Sequence, residues 1–224
     1  DLHSFPTRRS SDLAITTKGY STQLAACYLL AMKFARVRNT ISEEYYHELV
    51  AEVQTLPDKI DRIIEDKERI QWIASKFAHC HDIFFVGRGV DYAICMEGSL
   101  KVKEVSYVHS EAYAVGELKH GTISLIEQGT LVIGVLTQSA LYEKTVSNLK
   151  EVQSRGAYLM GLTSYGHYAI EDTVDFNVYV PKTDEHFAAS LAVIPLQLLG
   201  YYIAIARGLD VDKPRNLAKS VTVE

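Results

Sequence analysis

Cysteine is scarce in this 224-residue sequence: Cys27, Cys80 and Cys95 are scattered and odd in number. A disulfide framework is thereby excluded as the organising principle, and a reducing compartment is the natural setting. Proline is equally sparse, at five residues, and there is one tryptophan. No basic excess exists. The formal net charge is −5, which argues against nucleic acid or an anionic membrane surface as the main partner. No uninterrupted apolar run reaches the roughly 18 residues of a spanning helix, because the longest, Ala188 to Ile205, is broken by Pro195, Gln197 and Gly200. The amino terminus lacks the continuous apolar segment of a secretory signal. The expectation is a soluble, cytoplasmic protein. What is present suffices for a packed core: 47% hydrophobic and 23% charged residues.

Residues 1–13 stand apart. The run His3-Ser4-Phe5-Pro6-Thr7-Arg8-Arg9-Ser10-Ser11-Asp12-Leu13 reads like the forward translation of a sequencing adapter joined to a genuine reading frame. It is set aside as non-native, with the protein proper expected to begin upstream of Ala14.

The periodicity predicts a helix over 17–37, with Leu24, Tyr28, Ala31 and Ala35 at three- and four-residue spacing. Ser42, followed by Glu43 and Glu44, caps a second helix to about Thr55. Pro57 opens a third through Ile64, and a fourth runs from about Lys67 to His79. The texture then changes. Short apolar runs at 82–86, 131–136, 157–162 and 175–180 read as buried strands, and helices are expected over 92–105, 141–155 and 185–207. Strands alternating with helices indicate parallel β-α units, hence a three-layer α/β/α sandwich preceded by a helical linker region. The expected division is a helical annex at 14–71, the sandwich domain at 72–214, and a polar, basic tail at 215–224.

Several places could carry chemistry. Open parallel sheets bind ligands beyond the carboxyl ends of their strands, where Gly87-Arg88-Gly89 falls. The dinucleotide fingerprint fails there, since Tyr92 stands where a third glycine is needed. Glu97, Lys101 and Glu104 share a helix face at spacings of four and three. Spacing alone favours a solvated, salt-bridged stripe; the functional alternative is a carboxylate aimed into a cleft, which could move a proton between adjacent carbons. His120, in Gly116-Glu117-Leu118-Lys119-His120-Gly121, is either a surface-loop histidine or an acid-base group. Lys219, near Lys213 and Arg215, is an exposed tail lysine or a Schiff-base amine. His79-Cys80-His81-Asp82 has metal-ligand residue types but places neighbours in different directions, so neither a metal nor a cofactor is expected.

Three stretches carry a resemblance. Glu97-Gly98-Ser99-Leu100-Lys101-Val102-Lys103-Glu104, then Tyr107 to Tyr113 with Glu117-Leu118-Lys119-His120-Gly121, and the ending Pro214-Arg215-Asn216-Leu217-Ala218-Lys219-Ser220-Val221-Thr222-Val223-Glu224 are similar to the second sugar-isomerase (SIS) subdomain of the glucosamine-6-phosphate synthase family. The resemblance runs from Ala14 onward. It implies an isomerase-domain piece of an enzyme that makes glucosamine 6-phosphate from fructose 6-phosphate and glutamine-derived ammonia. By that resemblance Glu104 is the proton-shuttling base, Lys219 the Schiff-base lysine, His120 the ring-opening histidine that reaches a neighbouring subunit's site, and Lys101 a supporting lysine. Thr16, Ala14 and Ala218 fall where the family contacts the sugar. A homodimer is likewise implied.

The departures bound the expectation. The glutaminase domain and the first SIS subdomain, with its phosphate-gripping Ser/Thr-rich loop, are absent from these 224 residues. Thr122 replaces the family's usual proline. Thr137-Gln138-Ser139-Ala140 sits where a phosphate loop would, although the family's second subdomain does not use it so. The piece alone is expected to be inactive. The competing reading is a non-catalytic phosphosugar-binding SIS module, which would need the phosphate loop and neither Glu104 nor Lys219.

Overall fold

The computed structural model describes residues 17–215. Three helices come first: α1 (Thr17–Val37), α2 (Glu43–Glu65) and α3 (Glu68–Phe77). There follow β1 (Asp82–Gly87), α4 (Val90–Ser106), β2 (His109–Ala114), β3 (Leu131–Leu136), α5 (Tyr142–Gln153), β4 (Tyr158–Ser164), β5 (Phe176–Val180) and α6 (Ala188–Ala206). The strands form one parallel sheet in the order β2-β1-β3-β4-β5.

Side chains alternate across the strands, so each face feeds its own core. Ile83, Phe85, Leu131 and Ile133 point into a large cluster built with α3, α4 and α6, to which α1 and α2 add Met32, Leu49, Leu56 and Ile63. Phe84, Val86, Val132 and Leu159 point the other way, into a smaller cluster with α5. The expected three-layer sandwich is therefore present, with a much thicker helical layer on one face.

Three local expectations change. The sequence reading ended one helix near Thr55 and began another at Pro57, yet α2 runs unbroken through that proline. Pro57 is exposed, so the amide hydrogen it lacks is missing on the water side, where solvent can satisfy the freed carbonyl. Leu49, Leu56 and Ile63 recur at intervals of seven and bury one stripe on both sides of it. The second change is β2, which the pattern does not announce. It is an edge strand in which only Ser110 is buried, and its hydroxyl donates to the Ser99 carbonyl at 2.8 Å. The third is α6. With the preceding turn it is long and apolar enough to cross a membrane by composition, and two thirds of that stretch is buried inside the fold (67%). It is the central helix of the thick layer, packed against α3 and α4.

Gly87 shows how tightly β1 turns into α4: a β-carbon there would meet backbone atoms of Asp91 and Tyr92 at 2.6–2.8 Å. Backbone cannot yield as a flexible side chain does. Gly87→Ala is therefore expected to cost about 1–3 kcal/mol in urea unfolding. A loss below a few tenths would show that the turn has slack.

Candidate functional site

Two regions compete for a ligand, and the first is closed. The chain leaves β1 toward β2 on one side and reaches β3 on the other, which makes the gap beyond β1 and β3 the topological switch point. In this chain Asp91, from the first turn of α4, fills that gap. Its carboxylate, 2% exposed, accepts from the Thr137 amide at 2.9 Å, from the Thr137 hydroxyl and from the Gln138 amide at 3.4 Å. Burial pushes the Asp91 carboxyl up, against the opposing pull of these bonds. The Gln138 side chain donates to the Arg88 carbonyl at 2.7 Å and packs on Gly89. The Gly87-Arg88-Gly89 turn and the Thr137–Ala140 loop, both singled out in the sequence, thus serve each other.

The second region lies on α4. Lys101, Glu97 and Glu104 share a face as their spacing requires, but that face is not solvated. Their side chains are 6%, 13% and 18% exposed. The spacing argument fails because it cannot see what covers the helix: α6 lies so near that a β-carbon at Gly200 would come within 3.5 Å of the backbone of Lys101 and Val102. Lys101 Nζ donates to Glu104 Oε2 at 2.7 Å and stands 3.5 Å from Glu97 Oε1. Glu97 Oε1 is buried without a hydrogen-bond donor. Burial holds the Glu97 carboxyl above its usual range; Lys101 opposes the shift and Glu104 adds to it. From α1, Tyr20 feels the same environment, its phenol pushed up to about 12 by burial and by the Glu97 charge. One lysine thus serves two carboxylates, of which Glu104 is the better paired. A carboxylate held this way can accept a proton and return it elsewhere without being neutralised by solvent.

Beside Lys101 opens a pocket of about 200 Å³, lined by Thr17 from α1, Lys101 and Val105 from α4, Gln197 and Tyr201 from α6, and Asp212. The segment leading to the tail is anchored next to it. Pro214 is buried, the Arg215 amide donates to Tyr107 Oη at 2.8 Å, and the Arg215 guanidinium lies 4.0 Å from the Tyr107 ring centre. Tyr107 is the carboxyl cap of α4, held at φ 57°.

Of the predicted site residues, the structure brings Lys101 and Glu104 together. It sets His120 apart. His120 is exposed at the end of a 3-10 turn after β2, at the carboxyl edge of the sheet, whereas α4 runs back along the strands and carries Glu104 to the amino edge. Ala14, Thr16, Ala218 and Lys219 lie outside the described residues. Sequence reasoning missed Asp91, whose partner is 46 positions away. Larger hollows occur elsewhere: one of about 440 Å³ beside β5, where Arg69 is taken up by Asn177, and one of about 500 Å³ that contains Cys80, His81 and His109. In the latter, His109 Nδ1 meets Asp82 Oδ1 at 2.6 Å.

Comparison with known proteins gives three consistent findings. The SIS domain model matches residues 76–207. A glutamine–fructose-6-phosphate aminotransferase (isomerizing) of Caldanaerobacter subterraneus is 52% identical over 209 residues, which is 93% of this chain and 34% of that protein. The chain thus spans about a third of the length of the curated relatives it matches. Among solved structures, the C-terminal domain of glucosamine-fructose-6-phosphate aminotransferase from Francisella tularensis superposes with a TM-score of 0.82 at 33% identity, covering 89% of this chain and 56% of that one. A glucosamine-6-phosphate deaminase from Thermotoga maritima follows, with a TM-score of 0.67 at 29% identity, covering 93% and 57%.

Proposed function

The chain belongs to the SIS-domain family, and on that premise we propose that it is the proton-transfer unit of a phosphosugar-isomerising aminotransferase. In this reading it supplies the second SIS subdomain of an enzyme that converts fructose 6-phosphate and glutamine-derived ammonia to glucosamine 6-phosphate. The observation that carries the reading is the buried Glu97–Lys101–Glu104 arrangement on α4. It is costly to build and unnecessary for mere binding.

Glu104 removes a proton from the first carbon of the sugar imine and returns it to the second. Lys101 orients that carboxylate through its 2.7 Å hydrogen bond to Oε2. The amine of Lys219 condenses with the ketone carbonyl and releases water, and ammonia then displaces the lysine. The anchoring of Arg215 on Tyr107, one turn past Glu104, supports this role for Lys219. Four further residues span at most about 14 Å, enough to return toward the pocket. His120, remote from Glu104 in its own chain, opens the sugar ring in a neighbouring subunit, which makes the working form a homodimer. Thr16, Ala14 and Ala218 complete the sugar contacts.

The phosphate grip comes from the first SIS subdomain. The closed switch point supports this division, since the usual anion seat is filled by Asp91. So does α1, whose outward residues Leu29, Leu30, Phe34 and Val37 are 56–65% exposed and suit a covering domain. Without the charge-assisted phosphate contacts, the 224-residue chain alone does not turn over.

The test is a chimaera in which this chain replaces the matching segment of the Caldanaerobacter aminotransferase. The chimaera is expected to form glucosamine 6-phosphate from fructose 6-phosphate and glutamine, and the chain alone to form none. A folded chimaera without turnover would sink the proposal. Ammonia release from glucosamine 6-phosphate by the chain alone would point to a deaminase instead.

A further inference from the structure

Two non-glycine residues among those described hold a positive φ. One is Asn39, of a residue type that accepts the left-handed region readily. The other is Tyr107, the carboxyl cap of α4, at φ 57° and ψ 21°. Glycine or asparagine is the residue that turns a chain out of a helix in this way, and a bulky side chain there is strained. Core packing does not offset the strain, because Tyr107 belongs to neither hydrophobic cluster.

What the side chain does meet is residue 215. Tyr107 Oη accepts from the Arg215 amide at 2.8 Å, and the Arg215 guanidinium carbon lies 4.0 Å from the ring centre. A backbone hydrogen bond and a cation–π contact from one side chain fix where, and in which direction, the chain leaves the buried Pro214. This junction flanks the pocket beside Lys101. Tyr107 follows the lining residue Val105 by two positions, and Arg215 follows the lining residue Asp212 by three. Glu104 lies one turn before Tyr107 on the same helix.

We infer that Tyr107 is a positioning residue: it seats the root of the carboxy-terminal tail on the end of α4, so that the arm carrying Lys219 starts from the same helix terminus as the Glu104 carboxylate. This rests on the proposed reading in which Lys219 condenses with the ketone and Glu104 moves the proton, and it adds the residue that sets one against the other. Tyr107 makes and breaks no bond. Its loss therefore slows imine formation without changing which lysine forms the imine.

The experiment traps that imine in the Caldanaerobacter chimaera, with glutamine left out. The Lys219 amine and the ketone of fructose 6-phosphate lose water to form the imine. Cyanoborohydride then delivers hydride to its carbon, which leaves the sugar on Lys219 as a secondary amine located by peptide mass spectrometry. Tyr107→Phe keeps the ring face and loses the acceptor, whereas Tyr107→Asn suits the left-handed cap and loses both contacts. At saturating fructose 6-phosphate the trapping rate is expected to fall about five-fold in the first and about twenty-fold in the second. Melting temperatures should not follow that order, since asparagine relieves the strained cap. Trapping on Lys219 at the parent's rate in both variants overturns the inference alone, whatever happens to their melting temperatures. Tyr107→Phe decides the case by itself where Tyr107→Asn does not fold. If the parent takes no label on Lys219, the Schiff-base reading falls and this inference falls with it.

Discussion

Lys101→Met is expected to destabilise the fold by about 3–5 kcal/mol at neutral pH. The lysine is 4% exposed and is the cation between two largely buried carboxylates. Methionine keeps the length and apolar stem of the side chain, so the packing against α6 survives and the charge alone is lost. Glu97 and Glu104 are then left facing each other without compensation. The pH dependence gives the signature. The folded-state pKa of Glu97 is already raised above its ordinary value by burial. The folded state therefore holds that proton more tightly, and the resulting stability is complete below the unfolded pKa and disappears as pH rises through the folded one. Removing Lys101 raises the folded value further. The gap between variant and parent should accordingly narrow on going from neutral pH to about pH 5. Urea unfolding of both proteins at the two pH values measures it. A neutral-pH loss below about 1 kcal/mol is what a solvated stripe would give, and it would refute the burial-based account.

Glu104→Gln should separate chemistry from stability. The amide is isosteric and its oxygen can still accept from Lys101, which also retains Glu97, so the fold is expected to persist. The proton shuttle is not. In the chimaera, kcat should fall by about 10²–10⁴, the usual contribution of a positioned acid-base group. KM should change far less, because the sugar is bound by other groups. A kcat within ten-fold of the parent would remove Glu104 from the reaction and transfer attention to Glu97, whose raised pKa makes it the alternative proton carrier.

The sandwich was legible in the sequence because its three central strands are buried on both faces. The runs around Phe84, Ile133 and Leu159 are apolar for that reason, and β5 at one edge still shows a regular alternation of buried and half-buried residues. The edge strand β2 lacks the signal, since solvent rather than a second helical layer meets most of its side chains. Pro57 misled because proline statistics describe isolated helices, while α2 is held by Leu49, Leu56 and Ile63 against the core. The periodic spacing of Glu97, Lys101 and Glu104 located a face correctly and misjudged its environment. Only tertiary packing places α6 over it. Asp91 is beyond local reading altogether: it acquires meaning from a neighbour far along the chain. The roles of Lys101, Glu104, His120 and Lys219 entered by motif resemblance, and no periodicity would have supplied them.

The carboxylate of Asp91, seated between the ends of β1 and β3, reverses what a mutational scan of this chain should look like. In most open parallel α/β proteins, damage to activity clusters at the carboxyl ends of the strands and damage to folding clusters elsewhere. Here those strand ends are a structural joint, tied by Thr137 and Gln138. Substitutions at Asp91, Thr137 or Gln138 should register as lost protein abundance. Substitutions on the α4–α6 layer that leave abundance intact should mark where the chemistry resides.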